Sequence, residues 1–343
     1  MTKEQMMCNI SILGSGTWGT ALAKTFAQAG KEVSLWSISQ DEIDELKSAH
    51  RHKNLPGAVI PDSICLTTDM DEAVDGAETI IIVVPSVFVR STCETLKKYL
   101  KKGQIVAVAA KGLEEKTLFT LSEVIEDVIG KTDDNPVVAI SGPTHAEEVA
   151  IDYPTTIVCA SENEVAAKKV QNAFMGTCIR PYLNTDIKGV ELCGALKNIM
   201  ALACGISTGL GYGDNTKAAL MTRGMSEIAG LGSAMGCNIH TFSGLAGMGD
   251  LIVTATSMHS RNNRAGILIG KGMPVDEAVR EVGMVVEGLN ALPGARALAK
   301  KYGITMPIIE TMGLIADGII TPEEAVERLF NRDIKSEIMF CGF

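Results

Sequence analysis

Residues Ile10 to Ala23 read ISILGSGTWGTALA. The front is a short aliphatic run, the middle holds Gly14, Gly16 and Gly19 in G-x-G-x-x-G spacing, and the back is rich in helix formers. Glycines at this spacing alone are as compatible with a tight turn as with a nucleotide site. Between a strand and a helix, however, each glycine has a task. The first makes the turn, the second lets backbone N–H groups approach a pyrophosphate, and the third lets the helix pack closely on the strand. The helix that opens at Thr17 and Trp18 then points its positive end at the phosphates.

The flanking sequence supplies that setting. Strand-sized apolar runs occur at Asn9 to Leu13, Glu32 to Trp36, Thr79 to Val84, Gln104 to Ala110 and Pro136 to Ser141, with a sixth at Pro154 to Ala160. Helical patterns lie between them, among them TALAKTFAQAG, closed by Gly30, and TLFTLSEVIEDVIG, closed by Gly130. Strands alternating with helices predict a parallel α/β sheet, a Rossmann-type doubly wound domain. Beyond RPYLNTD (Arg180 to Asp186) the strand signal vanishes and helical segments run to the end. The expected division is therefore a dinucleotide-binding domain over residues 1–187 and an all-α substrate domain over 188–343. Within the second, GVELCGALKNIMALACGI (Gly189 to Ile206) is apolar all round and predicts a buried central helix.

Composition narrows the function. At 343 residues two domains are the better prior, and 46% hydrophobic with 4% aromatic residues describes an aliphatic globular interior. A net charge of −10 argues against a broad nucleic-acid footprint and requires a local cationic pocket for any anionic substrate. The first residues have no hydrophobic signal core and the run IIIVVP is too short to span a bilayer, so no transmembrane segment is expected and the cytoplasm is the default location. Nine cysteines without a C-x-x-C suit reduced, buried thiols. His50 and His52 flank Arg51 in a polar stretch that reads as solvated surface, and no metal site is expected.

Several polar residues stand out. Lys197, beside Asn198, interrupts the buried helix, and at helical spacing it has Cys193, Gly194, Met200 and Ala201 around it. A buried ammonium must be paired or chemical. Lys111 follows the fourth strand at its carboxyl end, where ligands of open parallel sheets bind. Asp250 lies one helical turn before Thr254. Ser260, Arg261 and Asn262 describe either a capped surface helix or a phosphate site of exposed N–H groups, a guanidinium and an amide. After Trp36, an acid would suit a ribose 2′-hydroxyl and an arginine a 2′-phosphate, but the chain has Ser37, Ile38, Ser39 and Gln40. NAD and NADP both stay open at this point. The missing base favours NAD, while Ser37 and Ser39 are possible phosphate contacts.

The ordered motifs GSGTWGTALA, VVPS, AAKGLE, SGPTHAEE, GVELCGALKNIMALA, GYGDNTKAALMTRG, FSGLAGMGDLIVT, HSRNNRAG and GMVVEG make the chain resemble the NAD(P)-dependent glycerol-3-phosphate dehydrogenases of bacterial type, from Ile10 to about Pro307. The resemblance implies reversible reduction of dihydroxyacetone phosphate to sn-glycerol 3-phosphate for phospholipid synthesis, without a metal. It implies a general acid/base at Lys197 and substrate contacts at Lys111, Gly142, Thr144, Asp250, Ser260, Arg261 and Asn262. Cofactor contacts are implied at Thr17, Trp18, Lys111, Ala146, Arg261, Val285 and Glu287. Relatives often carry His or Arg where this chain has Ile38 and Ser39.

Two alternatives compete. A 3-hydroxyacid dehydrogenase would place Asn four residues past the helix lysine, where Ala201 stands. A dinucleotide-sensing module would need neither a buried lysine nor a phosphate cluster. A methionine-rich helical surface makes a homodimer the expected assembly.

Overall fold

The structure, a computed structural model, describes residues 9–333. Its first half runs β1 (Asn9–Leu13), α1 (Thr17–Gln28), β2 (Glu32–Trp36), α2 (Gln40–Ala49), β3 (Cys65–Thr67), α3 (Met70–Val74), β4 (Thr79–Ile82), α4 (Val89–Leu96), β5 (Ile105–Val108) and α5 (Leu121–Ile129). It continues through β6 (Val137–Ser141), α6 (Ala146–Val149), β7 (Thr155–Ala160), α7 (Glu164–Ala173) and β8 (Ile179–Asn184). The strands form one sheet in the order β3-β2-β1-β4-β5-β6-β7-β8. Alternate residues feed two cores, one per face: Ile81 and Ala107 pack with Phe26 and Leu35, whereas Ile80, Ile82, Val106 and Val108 pack with Leu121 and Val124. Helices cover both faces, so the central strands are apolar throughout.

Strands β1 to β6 are parallel, as the alternation of strand and helix predicts. The sixth expected strand departs from that pattern, because β7 runs antiparallel to β6. The connection between them holds only the four-residue α6, not the long helix that normally carries a parallel crossover. It turns at Gly142, whose φ is +139° and where a Cβ would lie 3.0 Å from Ile157 Cα. Two strands escaped the sequence reading. The three-residue β3 is too short to show a period, and β8 carries Pro181 and exposes Tyr182 and Leu183, as an edge strand can.

The helical half comprises α8 (Ile187–Gly209), α9 (Asp214–Ala234), α10 (Ile239–Phe242), α11 (Asp250–Thr256), α12 (Arg261–Gly270), α13 (Val275–Val282), α14 (Glu287–Tyr302), α15 (Pro307–Ala316) and α16 (Pro322–Phe330). Helix α8 is long and apolar enough to span a membrane, yet its apolar stretch is buried inside the protein. Its deepest contact is with α12, where Gly205 and Gly209 face Gly266 and Gly270. A Cβ on Gly266 would fall 2.2 Å from Leu202 O, so only hydrogen fits between these backbones. The two halves are tied where Ser122 N–H, at the start of α5, donates to Glu191 of α8 at 2.8 Å. Burial holds the Glu191 carboxyl up at about 7 against these hydrogen bonds.

Candidate active site

The strand order reverses between β1 and β4, and their carboxyl ends diverge to open a crevice. Gly14 turns the chain there with φ +126°, and a Cβ would lie 2.9 Å from Val84 N, beyond the end of β4. Gly19 is packed so tightly that a Cβ would meet Gly14 O at 1.9 Å. Among the described residues nothing lies within 4 Å of the missing Cβ of Gly16. The second glycine therefore leaves room for a ligand at the N-terminus of α1, and the cradle fits a dinucleotide pyrophosphate.

This crevice continues as a cleft of about 640 Å³ between sheet and helical halves. From the sheet side it is lined by Gly14, Gly16, Thr17, Trp18, Lys111, Thr144 and Ala146. From the helical side it is lined by Lys197, Asn198, Thr254, Ser260, Arg261, Asn262, Val285 and Glu287. Glu287 reaches the opposite wall, where Ser86 Oγ donates to its Oε2 at 3.1 Å.

Asp250 is the pivot beneath the cleft floor, which Lys197, Lys111 and Thr254 line. A π-helical turn, Leu245–Gly249, feeds directly into α11 and delivers Asp250 beneath α8. The carboxylate is 1% exposed. Lys197 Nζ donates to its Oδ1 at 2.5 Å, and Lys111 Nζ donates to its Oδ2 at 2.7 Å. Lys197 Nζ also donates to Thr254 Oγ1 at 2.5 Å, while that hydroxyl donates to Asp250 O at 2.6 Å. Lys111 further donates to Gly142 O at 3.0 Å, which gives Gly142 its place in the site, and lies 3.4 Å from Thr144 Oγ1. The Lys111 stem crosses α8 at Gly194, where a Cβ would only touch Lys111 Cγ, at 3.5 Å, and would crowd Ser141 Oγ at 3.2 Å.

Two cations thus share one buried anion. Burial pushes the Lys197 amine down to about 7, Asp250 opposes the shift, and the neighbouring charge of Lys111 adds to it. An amine titrating there can give or take a proton near neutral pH.

The start of α12 forms the adjoining wall. Ser260 caps it by accepting from Asn263 N–H at 3.2 Å, with Arg261 exposed in the first turn. The Asn262 amide donates to Asn198 Oδ1 at 3.0 Å and accepts from Gly288 N–H at 2.8 Å. Its side chain is largely committed to joining α8, α12 and α14. A Cβ on Gly288 would fall 2.6 Å from Asn198 O, so this junction also requires a glycine. Among the described residues no group of three His, Cys, Asp or Glu could hold a metal ion.

One cleft residue corrects the sequence reading and others were not singled out in it. His52, which reads as surface, is half-buried against the cleft together with Asn54, because the segment after α2 folds back over the crevice. His145 lies within SGPTHAEE but lacks a telling spacing; burial lowers its pKa, and its ring lies tilted against that of His259 with 5.7 Å between centroids. Glu42 also lines the cleft, although it lies six residues beyond β2.

A Rossmann-type sheet with a glycine cradle, joined to a helical domain that carries a buried lysine into the same cleft, defines a two-domain dehydrogenase architecture. The family model described as NAD-dependent glycerol-3-phosphate dehydrogenase N-terminus matches residues 9–167, and that for the C-terminus matches 186–327. The chain belongs to the NAD-dependent glycerol-3-phosphate dehydrogenase family. It is 54% identical over 335 residues to glycerol-3-phosphate dehydrogenase [NAD(P)+] 2 of Lactobacillus delbrueckii subsp. bulgaricus, covering 97% of this chain and 99% of that one. Identity to the glycerol-3-phosphate dehydrogenase [NAD(P)+] of Agathobacter rectalis is 48%, covering 96% and 98% of the two chains. The crystal structure of glycerol-3-phosphate dehydrogenase from Coxiella burnetii superposes with a TM-score of 0.91 at 38% identity, covering 95% of this chain and all of that one.

Proposed function

We propose that this protein catalyses the reversible, NAD(P)(H)-dependent interconversion of dihydroxyacetone phosphate and sn-glycerol 3-phosphate, with Lys197 as general acid/base. The observation that carries the proposal is the pair Lys197 and Lys111 on the floor of a dinucleotide-sized cleft, joined by the buried Asp250 beneath it. Gly14, Gly16, Thr17, Trp18, Ala146, Val285 and Glu287 would hold the nicotinamide dinucleotide, which supplies or accepts the hydride when bound. Lys197 Nζ holds the proton that the carbonyl oxygen takes up on reduction, and the same nitrogen takes it back on oxidation. Asp250 and Thr254 hold that amine in place. Lys111 lowers its proton affinity and presents a second cation to the developing oxyanion. Ser260, Arg261 and the free N–H groups of the first turn of α12 take the substrate phosphate, with Asn262 and Asn198 bracing them.

The domain boundary at 187/188, a cytoplasmic location, a homodimeric state and supply of glycerophospholipid synthesis complete the proposal. The free thiols of Cys93, Cys159, Cys193 and Cys204, all buried, support a reducing compartment. The test is steady-state turnover by purified protein with both nicotinamides. Reduced nicotinamide should be oxidised only when dihydroxyacetone phosphate is supplied, and Lys197→Ala should lose most of the rate while still binding cofactor. Undiminished turnover by that variant would overturn the lysine assignment.

A further inference from the structure

Glu42 occupies a position that its local sequence does not explain. Ser39 caps α2, and S-x-x-E at Ser39 to Glu42 is the spacing of a capping box, in which the glutamate should reach back to the cap residue's N–H. The same protein closes that box completely at Thr120 with Glu123 and at Thr321 with Glu324. At α2 only half of it forms. Ser39 Oγ accepts from Glu42 N–H at 3.3 Å, but Ser39 N–H donates instead to Ser37 Oγ at 3.2 Å. The Glu42 carboxylate has turned towards the cleft. There Oε2 accepts from Ser37 Oγ at 2.7 Å and from Ser15 Oγ at 2.5 Å.

These two serines define the place. Ser15 lies between the first two glycines of the cradle, and Ser37 is the first residue beyond β2. In an open dinucleotide-binding sheet that corner receives the ribose of the adenosine half. The acid that would suit a ribose 2′-hydroxyl is missing from the end of β2, yet a carboxylate reaches the corner from α2. Both serines hold Oε2, and Oε1 remains for a ligand among the described residues.

We infer that Glu42 selects NAD(H) over NADP(H), its carboxylate accepting from the ribose 2′-hydroxyl and repelling a 2′-phosphate. The inference rests on the dehydrogenase reading and adds the choice of cofactor to it. The two serine hydroxyls hold the Glu42 pKa below its ordinary value, so the group is anionic at neutral pH. Of the nearby cations, burial lowers the pKa of His52, leaving its ring neutral, while Lys53 is exposed and outside the cleft wall. Ile38, 87% exposed at the mouth, offers a phosphate nothing.

The test is equilibrium binding of NADH and NADPH to the full chain by nucleotide fluorescence, with ADP-ribose and 2′-phospho-ADP-ribose as competitors. A charge-assisted hydrogen bond corresponds to roughly ten- to a hundredfold in affinity. Wild-type protein should therefore bind NADH at least about tenfold more tightly than NADPH, and Glu42→Gln should narrow that ratio about tenfold. Equal wild-type affinities, a preference for NADPH, or an unchanged ratio in Glu42→Gln would each overturn the assignment. The wild-type ratio tests it without any variant. Selective NADH binding that Glu42→Gln abolishes, without oxidation by dihydroxyacetone phosphate, would uphold Glu42 and overturn the reaction alone.

Discussion

Asp250→Asn removes one charge that touches two ammonium groups, at 2.5 Å and 2.7 Å. At charge separations of about 3 Å and an effective dielectric of about 20, one such pair interacts by about 5 kcal/mol. The asparagine oxygen still accepts a hydrogen bond and the lysine relaxes, so we take about half of that, or about two pH units, as the drop in the Lys197 pKa. The amine that titrates at about 7 in the wild type would then titrate near ~5. Reduction of the ketone uses the protonated amine. Wild-type kcat/KM for dihydroxyacetone phosphate should therefore be level below pH ~7 and fall about tenfold per unit above it. The variant should already be falling at pH ~6, where its deficit is about tenfold, and should lie about a hundredfold below wild type at pH ~8. Because the unpaired amine is neutral at these pH values, the protein avoids most of the cost of a buried lone charge and should still fold and bind cofactor. Initial rates of reduced-nicotinamide oxidation across this range, with cofactor binding measured alongside, supply the assay. A variant whose profile turns at the wild-type pH would refute the coupling between Asp250 and Lys197.

Arg261→Ala should raise KM for dihydroxyacetone phosphate roughly ten- to a hundredfold and barely change the weak reduction of unphosphorylated dihydroxyacetone. Equal losses on both compounds would remove the phosphate role. Gly266→Ala forces a methyl against Leu202 O at 2.2 Å and Gly205 Cα at 2.8 Å, so α8 and α12 must separate. Overpacking of this kind costs about 1–3 kcal/mol; thermal unfolding should show a lower Tm, and kcat/KM should fall as the Asn198–Asn262 bond lengthens. A wild-type Tm would show that the two helices have slack.

Much of this architecture is legible locally. The run Asn9 to Leu13 has to be a buried strand, and the glycines after it permit little but a turn into a helix. Helix α8 announces itself by having no polar face, and Lys197 is conspicuous because it breaks that pattern. Ser260 is recognisable as a cap because cap chemistry operates within three residues. The antiparallel turn at β7 was not legible, since a strand's own residues do not encode the direction of its neighbour. Nor was His52, whose burial comes from a loop folding across the crevice.

The sequence by itself determined the alternation of the longer strands with helices, the glycine cradle and the identity of the exceptional lysine, because periodicity, backbone freedom and burial cost act over a few residues. Only the tertiary structure decided what those groups do together. Asp250 meets Lys197 from 53 residues away and Lys111 from 139, so the shared anion that tunes the amine has no trace in any local pattern. Glu42 shows the reverse case. Its spacing encodes a helix cap, and contacts with Ser15 and Ser37 redirect it, because a carboxylate goes where the assembled fold offers it the better donors.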